Sequence, residues 1–263
     1  MVSACDEDGE REDAKENKGN EINFYLTRLQ RRFSKIVKLE NLGKSYEKRA
    51  IKVVKISTCF EQPKPVILID AGIHAREWIA PAMALYIIHQ LVENPDNTRL
   101  IQSVEWHIVP VLNPDGYEYS HTHVRLFDNY FRERIYFTPI TVSCLWKDFG
   151  GRQGQESMEL MVTEITIFNG EDSLARAAND AIVSEGGKSY KVGSVSNILY
   201  RASGGSDDWM KSVGGIALCY TIELPGGGQK GFDLPAAEIL PTVSQFFPCM
   251  RVFEGHVRNI STT

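Results

Sequence analysis

The feature that most constrains the fold of this chain is a pair of short apolar runs separated by a helical segment. The runs are 65–71 (PVILIDA) and 104–112 (VEWHIVPVL), and 81–91 between them is typical of a helix with proline in its first turn. Apolar runs of this length without alternation are typical of strands buried on both faces. Strand, helix and strand in this order predict a βαβ unit and therefore an α/β fold.

The rest of the chain continues this alternation. Further helices are expected at 21–34, 173–184 and 235–256, further strands at 50–58, 191–200 and 216–224, and a turn at 113–116 (NPDG). Together these elements predict an α/β fold with a mixed central β-sheet flanked by helices. We expect one domain over 21–263, preceded by an acidic tail at 1–20 whose composition is typical of disorder.

Composition excludes several classes of function. The net charge of −5 and the pI near 5.7 argue against a nucleic-acid partner, which requires a basic face. The longest apolar run, 79–88, is about half the ~20 residues that a membrane span needs, so no membrane partner is expected. Five scattered cysteines without a Cys-x-x-Cys pair fit neither a zinc ribbon nor a disulfide scaffold. We expect a monomer.

A histidine and a glutamate three residues apart follow the first apolar run. His74 and Glu77 come directly after a buried strand and Gly72, and strand ends are where ligands collect in α/β folds. An imidazole and a carboxylate at this spacing can reach one zinc ion if the backbone turns. The alternative is a surface histidine beside a glutamate that stabilises a helix N-terminus.

Two acidic positions near the C-terminal strand also allow two interpretations. Glu223 lies in the apolar run IALCYTIEL, either as a strand-end residue facing solvent or as a buried-rim carboxylate that acts as a base. The loop at 202–209 (ASGGSDDW) contains Asp207 and Asp208. These carboxylates either cap a helix or form a pocket wall that recognises a cationic side chain.

Longer strings in a fixed order carry a family resemblance. They are GKSYEKR, DAGIHAREWIAPA, VPVLNPDGYEYSHT, ILYRASGGSDDW, YTIELP and GFDLPAAEILPT, within two blocks at about 21–121 and 171–260. In this order they resemble successive landmarks of the zinc carboxypeptidases of the carboxypeptidase A/B type. The resemblance implies that family's fold and a metal-dependent exopeptidase that acts on peptide or protein C-termini.

The resemblance also implies roles for individual residues. It implies one zinc ion held by His74 and Glu77, with Arg76 beside them in contact with substrate. Glu223 matches the general base that activates the attacking water. The family resemblance further implies an extracellular enzyme, although the start of this sequence has no recognisable signal peptide.

Two more residues concern substrate selection. Tyr200 matches the mobile tyrosine that closes over the bound C-terminal residue. Asp207 falls at the floor of the specificity pocket, which implies a B-like preference for C-terminal Lys or Arg. A buried carboxylate left without a cationic partner is costly, so an apolar C-terminal residue would be disfavoured.

The segment 122–170 departs from the family pattern. The family's third zinc ligand is a histidine on a central strand, yet this chain has no histidine between His123 and His256. The family's Asn-Arg pair is also missing from the segment, and Arg125-Leu126-Phe127 is followed by Asp128 where the family has an arginine. We therefore expect a missing or replaced central segment, an incomplete fold and weakly held zinc. The alternatives are an inactive pseudo-carboxypeptidase that only binds its ligands, or a truncated form with exposed sheet edges.

Overall fold

A computed structural model describes residues 18–122, 157–164, 167–168, 172–198, 206–216, 218–226 and 234–260. Its helices are α1 Lys18–Arg32, α2 Ile79–Val92, α3 Pro114–Thr122, α4 Asp172–Ser184, α5 Val195–Ile198, α6 Ser206–Ser212, α7 Ala236–Phe246 and α8 Pro248–Ile260, with a 3-10 helix at Pro95–Ile101. Its strands are β1 Val37–Lys44, β2 Ala50–Ile56, β3 Val66–Ala71, β4 Glu105–Val109, β5 Ser157–Glu164, β6 Ile167–Phe168, β7 Lys191–Val192 and β8 Leu218–Leu224. The expected tail at 1–20 lies almost wholly outside these residues.

The described strands form one mixed sheet, which confirms the predicted architecture. Their order is β1-β2-β4-β3-β5-β8-β6-β7. The central strands β4, β3, β5 and β8 are parallel, and antiparallel pairs flank them on both sides. Because the central strands run in one direction, the segments that follow them meet at one edge of the sheet.

Part of the unusual segment 122–170 contributes to the centre of this sheet. The sequence predicts no regular element there, but residues 157–164 form β5 between β3 and β8. The prediction was wrong at this strand because polar residues interrupt its apolar run (SMELMVTE), so that no clear period is visible. Residues 123–156 lie outside the described part of the chain.

Three other boundaries differ from the prediction. The turn expected at 113–116 opens α3, since Pro114 occupies the first helical position and the Asn113 side chain accepts from Gly116 N at 3.0 Å. The strand expected at 191–200 ends at Val192, because the Ser194 carbonyl closes a helical turn instead. The closing helix is two helices, with Pro248 beginning the second.

One face of the sheet is apolar and covered by helices. Side chains that point to it from the central strands include Ile67, Ile69, Trp106, Ile108 and Ile222, all fully buried. They share a continuous cluster with apolar residues of α1, α2, α4, α7 and α8. Burial of this large apolar surface is the main force that stabilises the fold.

The opposite face has a smaller apolar cluster and several buried ionisable groups. Its apolar members include Val53, Leu68, Val109 and Cys219, which form one cluster with Met210 of α6. By the alternation of side chains along a strand, this face also receives ionisable residues from three neighbouring strands. They are Lys55, Glu105, His107 and Asp70, exposed by 8%, 1%, 0% and 1%.

Candidate active site

The loop that leaves β3 carries the predicted metal-binding residues, and we call residues 72–78 the site loop. Gly72 has a φ of +66°, in the left-handed region that favours glycine. A Cβ atom here would lie 3.1 Å from Pro81 and 3.2 Å from the Cα of Val111, which is tighter than most side-chain contacts. Asn113 N, just after β4, donates to the Gly72 carbonyl at 3.0 Å. The loop therefore starts from a fixed position at the carboxyl edge of the sheet.

A tight turn brings His74 and Glu77 together. Glu77 N donates to the His74 carbonyl at 3.2 Å, and His74 Nδ1 lies 3.0 Å from both oxygens of the Glu77 carboxylate. The Glu77 side chain is 8% exposed, whereas the His74 side chain is 47% exposed. The spacing of the two residues in the sequence thus brings an imidazole nitrogen and a carboxylate into contact. The His74 side of this pair is open to solvent.

The electrostatic surroundings of His74 include two more of the predicted residues. The hydrogen bond to Glu77 raises the pKa of His74, and the negative charges of Glu77 and Glu223 act in the same direction. Burial and the positive charge of Arg76 lower the pKa but do not cancel the rise. Arg76 and Glu223 are therefore both close enough to His74 to influence its protonation.

Glu223 occupies the end of β8, two strands away from β3. Its neighbours Ile222 and Leu224 are fully buried on the apolar face, so alternation turns the half-buried Glu223 toward the other face. In the register, Glu223 is level with Thr163 near the end of β5. Because β3, β5 and β8 are parallel, Glu223 and the site loop lie at the same edge of the sheet.

The donor atoms of this cluster fit zinc in chemical type. Zinc takes imidazole nitrogen and carboxylate oxygen, and His74 and Glu77 bring one of each to the same point. A catalytic zinc site usually has three protein ligands and an open position. Within the part of the chain that the structure describes, no three His, Cys, Asp or Glu side chains are grouped closely enough to share a metal ion. The described residues thus bring together two of the predicted ligands, His74 and Glu77.

The structure does not describe the side chains of the other two predicted site residues, Tyr200 and Asp207. Tyr200 lies outside the described residues. Asp207 belongs to α6 by its backbone, but its side chain also lies outside them. The neighbouring Asp208 is described and exposed. The predicted specificity pocket therefore stays a prediction.

One buried carboxyl group near the site was not predicted from the sequence. Asp70 is the fifth residue of β3, 1% exposed, and its Oδ1 has no hydrogen-bond partner in the structure. Burial raises the pKa of Asp70 to about 7. An acidic residue in an otherwise apolar strand is the signal that identified Glu223, and it was available for Asp70 as well.

Comparisons with known proteins agree with this geometry. The sequence matches the zinc carboxypeptidase family over residues 22–134 and 166–248. The unmatched interval falls inside the segment 122–170. The chain is 30% identical to carboxypeptidase B of Astacus astacus, covering 91% of this chain and 96% of that protein. It is 31% identical to carboxypeptidase A2 of Rattus norvegicus, covering 85% and 66%.

The fold is also similar to solved structures. Bovine thrombin-activatable fibrinolysis inhibitor, solved in complex with tick carboxypeptidase inhibitor, aligns with a TM-score of 0.78 at 24% identity. The alignment covers 93% of this chain and 97% of that one. At this identity the likeness shows the fold alone. Among the described helices, none is both long and apolar enough to cross a membrane.

Proposed function

Because this chain belongs to the zinc carboxypeptidase family, we propose that it is an extracellular exopeptidase that removes Lys or Arg from peptide and protein C-termini. The observation that supports this best is the convergence of His74 Nδ1 and the Glu77 carboxylate at 3.0 Å, with Glu223 close enough to raise the pKa of His74. This arrangement combines metal donors with a separate carboxylate at the open edge of a parallel sheet.

His74 and Glu77 would hold the zinc ion that the family implies. When bound, zinc polarises the carbonyl of the peptide bond to be cleaved and makes water a stronger nucleophile. The two side chains are hydrogen-bonded to each other, and the turn between the two residues keeps their backbones in place. The chain would therefore present both donors to the ion from adjacent positions.

Glu223 would act as the general base. Its carboxylate would accept a proton from the attacking water and pass it to the leaving amine. It suits this role because it is half-buried at the strand end and lies near the metal donors without being one of the hydrogen-bonded pair. Arg76, whose positive charge also reaches His74, would contact the substrate as a hydrogen-bond donor.

Asp207 would set the preference for basic C-terminal residues, with Tyr200 closing over the bound residue. The support for Asp207 is its position at the start of α6, a helix whose Met210 packs on the same sheet face as Val109 and Cys219. A carboxylate in this pocket would pair with a Lys or Arg side chain and would be left without a partner by an apolar one.

A second candidate function is the binding of basic C-termini without hydrolysis. It is favoured by the absence of histidine between His123 and His256, which leaves zinc without the third ligand that the family uses. With two ligands, zinc would be held too weakly for sustained turnover, while a substrate pocket at α6 could still bind.

The two functions are separated by measuring zinc content and turnover on the same purified chain. The enzyme predicts stoichiometric zinc and release of C-terminal Lys and Arg from short peptides. Glu223→Gln should then lower kcat by about 10²–10⁴-fold, the usual contribution of a general base, with zinc content unchanged. Glu185→Gln, at an exposed turn, is the matched control and should leave kcat unchanged.

Specificity is tested by a pair of neighbouring carboxylates. Asp207→Asn should reduce kcat/KM for peptides ending in Lys or Arg and spare those ending in Leu, whereas Asp208→Asn should change neither. Equal loss on both peptide types would contradict the pocket. A chain without zinc and without turnover that still binds peptides ending in Arg would support the second candidate function.

A further inference from the structure

Helix α3 contacts the site loop on both sides of His74. The Asn113 side-chain amide donates to the carbonyl of Ile73 at 3.2 Å. The Ser120 hydroxyl lies 2.9 Å from the carbonyl of Ala75 and 2.7 Å from the carbonyl of Tyr117 in its own helix. Ile73 and Ala75 are the residues directly before and after His74. The peptide plane directly before His74 and the peptide plane directly after Ala75 are therefore both contacted by groups at the two ends of α3, so the backbone on each side of His74 is held.

The same helix also holds the residue that follows Glu77. Trp78 Nε1 donates to the Ser120 hydroxyl at 2.9 Å. The Trp78 ring stacks on the ring of His121, with centroids 3.9 Å apart and planes 13° from parallel. Ser120 is 3% exposed, so these bonds form in a site from which water is largely excluded.

The helix lies as close to the loop as its backbone allows. A Cβ atom on Gly116 would lie 2.8 Å from the Cβ of Ala75 and 2.6 Å from the Asn113 side-chain nitrogen. Both distances are shorter than side-chain contacts allow, so any residue other than glycine would push the helix away from the loop.

The first turn of α3 is anchored on its other side to the β1–β2 hairpin. The Asp115 carboxylate accepts from the Ser45 hydroxyl at 2.6 Å, from Glu47 N at 2.9 Å and from Arg49 Nη1 at 2.6 Å. These are hydrogen bonds to an ionised acceptor, among the stronger ones in proteins. The helix is thus fixed between the hairpin and the site loop.

We propose that α3 positions the metal donors of this chain, with Ser120 and Asn113 as positioning residues that act through the carbonyls beside His74. The proposal rests on the function proposed above insofar as His74 and Glu77 are metal ligands. Groups that orient metal ligands are worth about 10–100-fold in metal affinity. Because Ser120 acts through the backbone and not on a ligand directly, we expect an effect at the lower end of this range.

The test uses Ser120→Ala, with Ser120→Thr to restore the hydroxyl and Thr122→Ala as the control. Thr122 is an exposed hydroxyl on the same helix whose hydrogen bonds run to the carbonyls of Glu118 and Tyr119. In the metal-free chain, amide hydrogen exchange at Glu77 should be about tenfold faster in Ser120→Ala, because the turn that this amide closes opens more often. Exchange should return toward the starting rate in Ser120→Thr and stay unchanged in Thr122→Ala.

A second measurement addresses metal binding itself. Competition with a chelator should show a zinc Kd about tenfold higher in Ser120→Ala, and the visible spectrum of the cobalt-substituted chain should change with it. If the unmodified chain takes up neither metal, the metal site of the proposed function fails, and the exchange data still decide whether α3 holds the loop. Unchanged exchange at Glu77 in both Ser120→Ala and Gly116→Ala would overturn the proposal.

Discussion

The two faces of the central sheet are both buried but differ in chemistry. One face is packed against helices by wholly apolar side chains, among them Ile67, Ile69, Trp106 and Ile108. The other face buries an acid on β3, a histidine and an acid on β4 and a lysine on β2, namely Asp70, His107, Glu105 and Lys55. Each of these ionisable groups costs free energy to bury unless a partner compensates for lost water.

The difference indicates that the apolar face mainly stabilises the fold, whereas the ionisable face carries the groups that can take part in chemistry. The apolar face stabilises the fold by burial, independently of pH. The ionisable face includes Glu223 at the end of β8, and the site loop leaves β3 at the same edge of the sheet. Burial of ionisable groups on this face costs free energy, and the candidate active site lies at the carboxyl edge of the same sheet.

The largest effect is expected on the apolar face, from Trp106→Ala. Trp106 is fully buried, and its Nε1 donates to the Leu100 carbonyl at 2.7 Å. Truncating a buried tryptophan removes a large apolar surface and leaves a cavity, which costs about 3–5 kcal/mol of unfolding free energy. Urea unfolding at several pH values should give the same loss at each. A loss that varied with pH would contradict the assignment of this face to burial alone.

The second prediction concerns Asp70, next to Ile69 on β3 but on the other face. Burial raises the pKa of Asp70 from 3.8 to about 7, so between these pH values the folded chain keeps a proton that the unfolded chain has lost. The unfolding free energy contributed by Asp70 therefore falls as pH rises through this window. At 1.36 kcal/mol per pKa unit, the total fall is at most about 4 kcal/mol.

Asp70→Asn keeps the shape of the neutral acid and cannot ionise. Measured in chelator, the variant should match the unmodified chain near pH 4 and be more stable than it by up to about 4 kcal/mol near pH 8. Ile69→Val is the control on the apolar face and should cost about 0.5–1.5 kcal/mol at both pH values. If the unfolding free energies of Asp70→Asn and the unmodified chain changed in parallel from pH 4 to pH 8, Asp70 would be ionised in the folded chain over this whole range.

The third prediction concerns the buried pair on β4. His107 Nε2 lies 2.5 Å from Glu105 Oε1, and both side chains are 1% exposed. Removing one partner leaves the other buried without its nearest compensation, so His107→Leu and Glu105→Met should each destabilise strongly. The double variant should cost less than the sum, with a coupling of about 1–3 kcal/mol in a double-mutant cycle. Additive losses would mean that the two side chains do not stabilise each other.

The apolar runs predicted the central strands because burial on both faces leaves a strong local signal. Segments 65–71 and 104–112 contain β3 and β4 in full, and 216–224 contains β8. The contact between His74 and Glu77 was also predictable, since the two residues lie within one turn of the chain. Features of this kind depend on residues that are neighbours in sequence.

What the sequence did not predict depends on residues that are distant in sequence. β5 has too many polar residues to be recognised alone, and its place in the sheet comes from pairing with β3 and β8. The contact of Ser120 with Ala75 joins residues 45 positions apart. His107 and Lys55 are polar residues in strands, and their burial follows from strand pairing that no local pattern encodes.

The smallest effect is expected where the ionisable face reaches water, at Lys55. Its ammonium lies 2.6 Å from the carboxylate of Glu40, whose side chain is 43% exposed. Lys55→Met removes the buried charge and leaves Glu40 free to rehydrate, so the loss should be about 1 kcal/mol or less and should shrink in high salt. Glu40→Gln instead leaves the lysine buried beside a weaker partner and should cost more. If Lys55→Met lowered the unfolding free energy more than Glu40→Gln, the pair would behave as a buried ion pair. The prediction that the ionisable face reaches water at Lys55 would then be wrong.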